Sequence, residues 1–506
     1  MRLAALLIAP LTLAACAADA PTGPRSSPPR IATPRTAVVT ATVTDLGTLP
    51  GGTKSEAFGI NDAGVVVGYG TAPNTSTSGY AERAFRWTAT GGMEDLGTLS
   101  SEVGWDWARA AAVNSSGYIA GWSNGPTRQQ RATLWTPIGG PYDLGALSGA
   151  IGASLATAIN DLGQLVGFSQ PASGSGLHAF LWTPSAPGAT TGTMIDLGTL
   201  GGTNSWAMGV NDAGVVVGRS LTSSGGSRAF RWTAGGGMED LGTLGTGETS
   251  FAAGINAQGQ IVGYSEVSPG GVWHAFLWTP SVGGGGTMQD LGVPPNQIET
   301  MSRAFAINDA GEVVGGVGCC TSTVAWRWSV ADGMQDLGPA TSAERLAYAL
   351  NENDQVVGTT VAAAGGNGRA TLWTVTVAPP ATGPLAVAID VAPGEGTNTI
   401  SLKASADAVL SVAVLTTPAF DAPALVDAAT ARLGTTPVAV KKKGAPYVST
   451  KDVDLDGDTD LVLHFERAQL VANGDLTTAT TSLTLRATLT DGRAIEGQDE
   501  VRVIKK

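Results

Sequence analysis

Short runs in which apolar and polar residues alternate fill most of the chain, each stopped by Gly, Asn or Asp. The stretch after Asn204 shows the pattern most plainly. "WAMGVN", "VVVGRS", "RAFRWT" and "GMEDLGTL" follow one another there, each suited to the period of two of a half-buried strand. The first two are joined by "NDAG", whose Asn, Asp and Gly accept the positive φ of a tight hairpin turn. The 3.6-residue apolar period of a helix is absent from these runs. An all-β chain of short antiparallel strands is predicted.

The same four runs return along the chain. "DLG" begins at Asp45, Asp95, Asp143, Asp196, Asp240, Asp290 and Asp336. The turn Asn stands at Asn61, Asn114, Asn160, Asn211, Asn256, Asn308 and Asn351, and a strand-closing Trp at Trp87, Trp135, Trp182, Trp232, Trp278, Trp328 and Trp373. Each marker gives seven copies, 43 to 53 residues apart. Small residues hold fixed places: Ala four before every Asn, Gly seven after it, and Ala three before every Trp. Small side chains at period-two positions let strands and sheets approach closely, while the Trp and the Val, Ile or Leu of the second run supply bulk.

Four strands in roughly 45–50 residues match the size of a propeller blade. Residues 38–376 are therefore expected to form a seven-bladed β-propeller of four-stranded blades. An orphan run, "VVTATVTDLGTL", precedes the first unit, and the seventh ends at "ATLWTV" without its own "DLG" strand. The N-terminal run is expected to complete the last unit and so remove an open edge.

Wording of this kind resembles a known family. "HAFLWT" at His178 and again at His274, with "DLGTLGGT" and turns such as "GINDAG", is similar to the HAF-repeat family of extracellular bacterial proteins. The resemblance spans all seven units and implies export and a repeat fold. That family has no settled biochemical activity, so no mechanism is implied.

"VAPPATGP", residues 377–384, reads as a linker, and from residue 385 to 506 alternation resumes in "TTSLTLRATLT" and "DEVRVI" without the repeat markers. A β-sandwich-like domain of usual size is expected. It contains "DVDLDGDTD", which matches the first nine positions of an EF-hand-type calcium loop. Asp452, Asp454, Asp456 and Asp460 would supply oxygens and Asp458 a backbone carbonyl, around a structural Ca²⁺. Leu463 stands where such a loop carries a bidentate Glu, so a remote carboxylate such as Glu466 or Asp421 would have to complete the shell. The strict alternation also allows a register that starts at Asp454. The surrounding text resembles a β-rich C-terminal module of secreted bacterial proteins, in which the acidic loop is structural.

The N-terminus changes the picture of where the protein resides. Arg2 precedes an apolar run too short to span a bilayer, which ends in "LAAC". Residues 1–15 resemble a bacterial lipoprotein signal, with Cys16 as the lipidated residue and the Pro/Ser-rich residues 16–37 as a disordered tether. The expected location is the bacterial envelope, outer membrane or cell surface, with the membrane met only through the lipid. A net charge of −13 carries no basic stripe for a phosphate backbone, so nucleic acid is not an expected partner. Cys319 and Cys320 are adjacent, which leaves open a vicinal disulfide in a turn or two reduced thiols.

Enzyme constellations are not found: no Ser/His/Asp order with a "GxSxG" elbow appears, nor an "HExxH" helix or a Walker loop. His178 and His274 occupy a place filled by Arg in other copies, which suggests a polar strand-entry position. Variation concentrates in loops that carry Tyr80, Trp105, Trp107, Trp122 and Trp273 close to Arg128 and Glu102, residue types that stack on sugars or pack on proteins. The leading expectation is a monomeric, surface-anchored, non-enzymatic binding or scaffold protein with a glycan or protein ligand. The alternatives are an extracellular carbohydrate-active enzyme, a hydrolase or lyase, and a purely architectural envelope lipoprotein.

Overall fold

The computed structural model describes residues 38–505, apart from 74–78, 101, 103–104, 150–151, 173–174, 282–283, 295–300, 319–322, 339–343, 362–365, 379–383, 394–397, 403–407, 417–419, 442–443, 455–457 and 491–493. Cys16, Cys319, Cys320 and Asp456 lie outside the described residues. The chain divides into two compact units, with the boundary between Ala378 and Pro379.

In the first unit the first six repeats each fold into a four-stranded antiparallel sheet, with strands paired in chain order. The first sheet shows the plan: Ser55–Ile60, Val66–Pro73, Tyr80–Thr88 and Gly92–Asp95. The turn Asn builds the first hairpin itself. Its Oδ1 accepts the amide of the residue four on, Val65 at 3.0 Å in this sheet, and the backbone closes the turn beside it. In each inner hairpin the register slips by one residue just before the turn, between Ala57 and Gly59 in the first copy. A bulge of this kind bends and twists the strand. The Gly seven after the Asn faces this tight pairing: a Cβ on Gly218 would lie 2.0 Å from the Trp206 carbonyl oxygen.

The seventh sheet joins the two ends of the unit. Val38–Asp45 runs antiparallel to Arg369–Ala378, from Val38 opposite Ala378 to Asp45 opposite Thr371. The orphan run thus supplies the missing fourth strand at the outer edge of a sheet that continues through Arg369–Ala378 and Gln355–Val361 to Glu344–Leu350.

The expected propeller requires correction. The described residues form eight separate four-stranded antiparallel sheets, seven here and one in the second unit, and among them none closes or curls into a propeller or barrel. The reason is physical: each sheet's ladder is complete with four strands and stops at its outer strands. Neighbouring sheets meet mostly through side chains, with isolated backbone bonds such as that from the Ser205 amide to the Leu177 carbonyl at 2.8 Å. Seven hydrophobic clusters are each shared by two consecutive sheets, the last with the first among them, as where Ala57 and Phe85 pack with Val357 and Leu372.

Two polar devices add to these contacts. The Nδ2 of each turn Asn donates to the backbone carbonyl of the next turn Asn: Asn61 to Asn114 at 2.9 Å, Asn114 to Asn160 at 3.1 Å, Asn160 to Asn211 at 2.9 Å, and Asn211 to Asn256 at 3.1 Å. Asn256 donates to Asn308 at 3.1 Å, Asn308 to Asn351 at 3.4 Å, and Asn351 returns to Asn61 at 3.0 Å. The second device is a Ser six residues before the Asn. Ser205 Oγ accepts the Ala179 amide at 2.8 Å and donates to the Gly198 carbonyl at 2.5 Å, riveting its strand to the sheet before it. Ser55, Ser154, Ser250 and Ser302 accept the equivalent Ala amide, whereas Ala108 and Arg345 replace the Ser in the other two copies.

The second unit holds a five-stranded sheet, a four-stranded antiparallel sheet and a two-stranded parallel pair. One apolar core draws Val412, Leu463 and Phe465 from the four-stranded sheet and Leu433, Leu485 and Ile495 from the five-stranded one.

Candidate functional site

The acidic loop enters the strand Asp460–Glu466, whose first residue is fully buried. Both Asp460 oxygens are fixed: Oδ1 accepts the Thr416 amide and Oδ2 the Val453 amide, each at 2.7 Å. Asp452 and Asp454 turn towards it, and one oxygen from each of the three carboxylates lies within 4.8 Å of the others. At that separation each like-charge pair costs about 1 kcal/mol in water and about 4 kcal/mol at a protein-surface dielectric. A divalent cation removes this cost, and buried Asp460 with half-buried Asp452 and exposed Asp454 can coordinate one. The oxygen-only donor set suits a hard cation. Asp458 is described but lies outside this trio.

The aromatic residues predicted to share a ligand face separate into different settings. Trp122 is buried against Leu155 and Phe168, with Trp107 and Trp206 packed alongside. Trp273 is half-buried, its ring centroid 5.6 Å from Phe251 and 5.8 Å from Tyr264. Trp105 is exposed and lies under the guanidinium of Arg128, which also pairs with Glu102. Tyr80 is exposed and joins none of these clusters.

Trp122 belongs to a pair of positions invisible as a repeat signal. The residues five before and eight after the turn Asn stand opposite one another in each inner hairpin: Glu56 and Tyr69, Arg109 and Trp122, Leu155 and Phe168, Trp206 and Arg219, Phe251 and Tyr264. Rings and guanidinium groups at these positions touch from sheet to sheet. Arg109 lies over Tyr69 at 4.2 Å and Trp122 at 6.0 Å; Arg219 lies over Trp206 at 4.2 Å and Phe251 at 5.0 Å; Arg303 lies over Tyr264 at 5.4 Å. Phe58, Tyr348 and Phe305 continue the belt through contacts of 5.2 and 5.6 Å. These last three rings also border a cavity of about 320 Å³ whose other lining residues, Ala112, Met208 and Ala253 among them, are mostly small or apolar.

The belt is electrostatically lopsided. Around the first two sheets its cations are matched: Arg109 grips Glu82 through two bonds of 2.7 and 2.9 Å, and Lys54 pairs with Glu56. Glu56 also accepts from the Tyr69 hydroxyl at 2.9 Å, and burial followed by the Glu56 charge pushes that phenol well above its ordinary range. Around the fourth to sixth sheets, Arg219 and Arg303 have no carboxylate and no hydrogen-bond partner among the described residues.

Other tempting residues have structural partners. His178 and His274 bond Asp196 and Asp290 at 2.8 Å, as Arg83 and Arg131 bond Asp95 and Asp143 in their copies. Each Asp of "DLG" also accepts the amide two residues on, as Asp240 accepts Gly242 at 2.8 Å. Glu94 and Glu239 pair with Arg86 and Arg231 across their hairpins.

No family model matches the chain, and none of the curated proteins does. The HAF-repeat resemblance and the similarity of the C-terminal module are therefore corrected: repeated wording is real, but it places the chain in neither family. Among solved structures, an acylaminoacyl peptidase of Pyrococcus horikoshii is 12% identical with a TM-score of 0.42, over 65% of this chain and 52% of that one. TolB of Acinetobacter baumannii is 14% identical with a TM-score of 0.39, over 61% and 66%. A catalytically inactive virginiamycin B lyase of Staphylococcus aureus with quinupristin is 10% identical with a TM-score of 0.40, over 67% and 99%. The chain spans about half the length of the peptidase and just under two thirds of TolB. Likeness at this level assigns no activity to the chain.

Proposed function

We propose that this chain is a non-enzymatic binding module, exported and held at the bacterial surface through Cys16, whose repeat unit presents the aromatic and guanidinium belt to a ligand. The observation that carries the reading is the half-buried cluster of Trp206, Phe251, Tyr264 and Trp273 with Arg219 lying between two of its rings. Half-buried aromatic faces lose water at little entropic cost and stack on flat apolar surfaces, sugar rings above all. The cation at the acidic loop is Ca²⁺ in this reading, with the role of bracing the second unit.

A glycan array probed with the full chain beginning at Cys16, followed by titration of the best binder, tests this. Binding that quenches tryptophan fluorescence and weakens about tenfold in Trp273→Ala is expected. Absence of any glycan binder, or a binder indifferent to Trp273→Ala, counts against this face.

A further inference from the structure

Arg219 and Arg303 stand at the two ends of one stack. Arg219 covers Phe251 at 5.0 Å, Phe251 stacks on Tyr264 at 4.9 Å and an angle of 26°, and Arg303 covers Tyr264 at 5.4 Å. Trp206 backs Arg219 from the other side at 4.2 Å, and Trp273 leans on both central rings. A guanidinium carries five N–H donors in a flat fork. Elsewhere in this unit those forks are used: by Glu82 on Arg109, and by Asp143 with the Gly152 carbonyl on Arg131. On Arg219 and Arg303 none is bonded to the described protein.

Stacking alone accounts poorly for this. A cation over a ring gains about 0.5–2 kcal/mol but uses none of its N–H donors, and on these two half-exposed side chains the donors face solvent, open to a ligand. Burial pushes the Arg219 guanidinium below its ordinary value, the mark of a cation lacking a counter-charge. A site meant only for packing would satisfy its donors, as Arg109 does at the place in the second sheet that Arg303 takes in the sixth.

We infer that the stack of Arg219, Phe251, Tyr264 and Arg303 binds a saccharide bearing carboxylate groups. The inference rests on the reading of the belt as a ligand face and adds the charge of the ligand. Each fork would take one carboxylate through paired hydrogen bonds, and the rings of Trp206 and Trp273 would meet the apolar faces of the sugar. A chain with a net charge of −13 repels acidic partners at long range, so recognition depends on these two local cations and on short, sparsely charged ligands.

The test uses the full chain and a trigalacturonate, its fully methyl-esterified form and a hexaglutamate peptide, titrated near 0.15 M salt. The expected result is that the acid binds at least about tenfold more tightly than the ester, and that Arg219→Gln and Arg303→Gln each remove about tenfold or more. Arg219→Lys, which keeps the charge without the fork, should recover only part of the loss. Thermal melting of each variant separates lost binding from lost folding, and Arg303→Gln stands alone if Arg219→Gln does not fold. Equal binding of acid and ester overturns the carboxylate inference and leaves the ligand face intact. Binding of the peptide alone overturns the saccharide, and binding of none of the three, with a silent glycan array, overturns both readings.

Discussion

Each turn Asn performs three tasks, two with its side chain and one with its backbone: its Oδ1 caps its own hairpin, its Nδ2 reaches the next sheet, and its backbone carbonyl receives the sheet before. Asn211→Ala would leave the half-buried Val215 amide without its partner and take one of two donors from the buried Asn256 carbonyl, which keeps the Gly259 amide at 3.0 Å. A loss of about 1–3 kcal/mol in unfolding free energy is expected. All 13 tryptophans precede Pro379, so their fluorescence during denaturant unfolding reports the repeat unit without contribution from the second. At this scale the sequence was half legible. Spacing identified the Asn as a turn residue, because turn chemistry is local, but the acceptor of its amide lies 43 to 53 residues away for six of the seven and 290 for Asn351. The rivet Ser was hidden for a simpler reason: Ala108 and Arg345 break its run. Arg219 and Arg303 were illegible, since positions that differ from copy to copy leave no repeat signal.

At the scale of the strand, the orphan N-terminal run could be matched to the seventh sheet because that sheet alone lacked a fourth strand. Its removal makes a sharp prediction. A chain starting at Leu46 would expose the whole outer edge of Arg369–Ala378 and uncover Val375, which is buried in the cluster around Trp373. Unpaired edges of this kind recruit other strands. Soluble aggregates in light scattering and a lowered unfolding midpoint by tryptophan fluorescence are expected, whereas an unchanged monomer would mean that the pairing contributes little. Strand order within each sheet followed from hairpin spacing. The arrangement between sheets did not, because periodicity counts strands without saying where a ladder ends, and the propeller expectation failed at that step.

At the scale of the whole molecule the two units differ in what stabilises them. The repeat unit draws on seven shared apolar clusters, while the second unit has one core and an acidic loop at the start of a central strand. Chelation should therefore act on one unit only. Addition of EDTA is expected to lower one calorimetric transition by several degrees and leave the tryptophan transition in place, and Asp460→Asn should abolish the difference. A shift in both transitions, or in neither, contradicts a bracing ion confined to the second unit. The loop itself was legible from the spacing of its carboxylates. The Thr416 amide that fixes Asp460 comes from 44 residues upstream and could not be read from the loop.

The path of side-chain bonds through the seven turn Asn residues has no first or last member, since Asn351 hands back to Asn61. Chain order and order of attachment are thus different things in this unit. A polypeptide nicked at an exposed tip such as Ser223–Gly225 would keep both fragments tied to each other at two seams, and the natural ends could be moved to any inter-sheet loop without creating an outermost member.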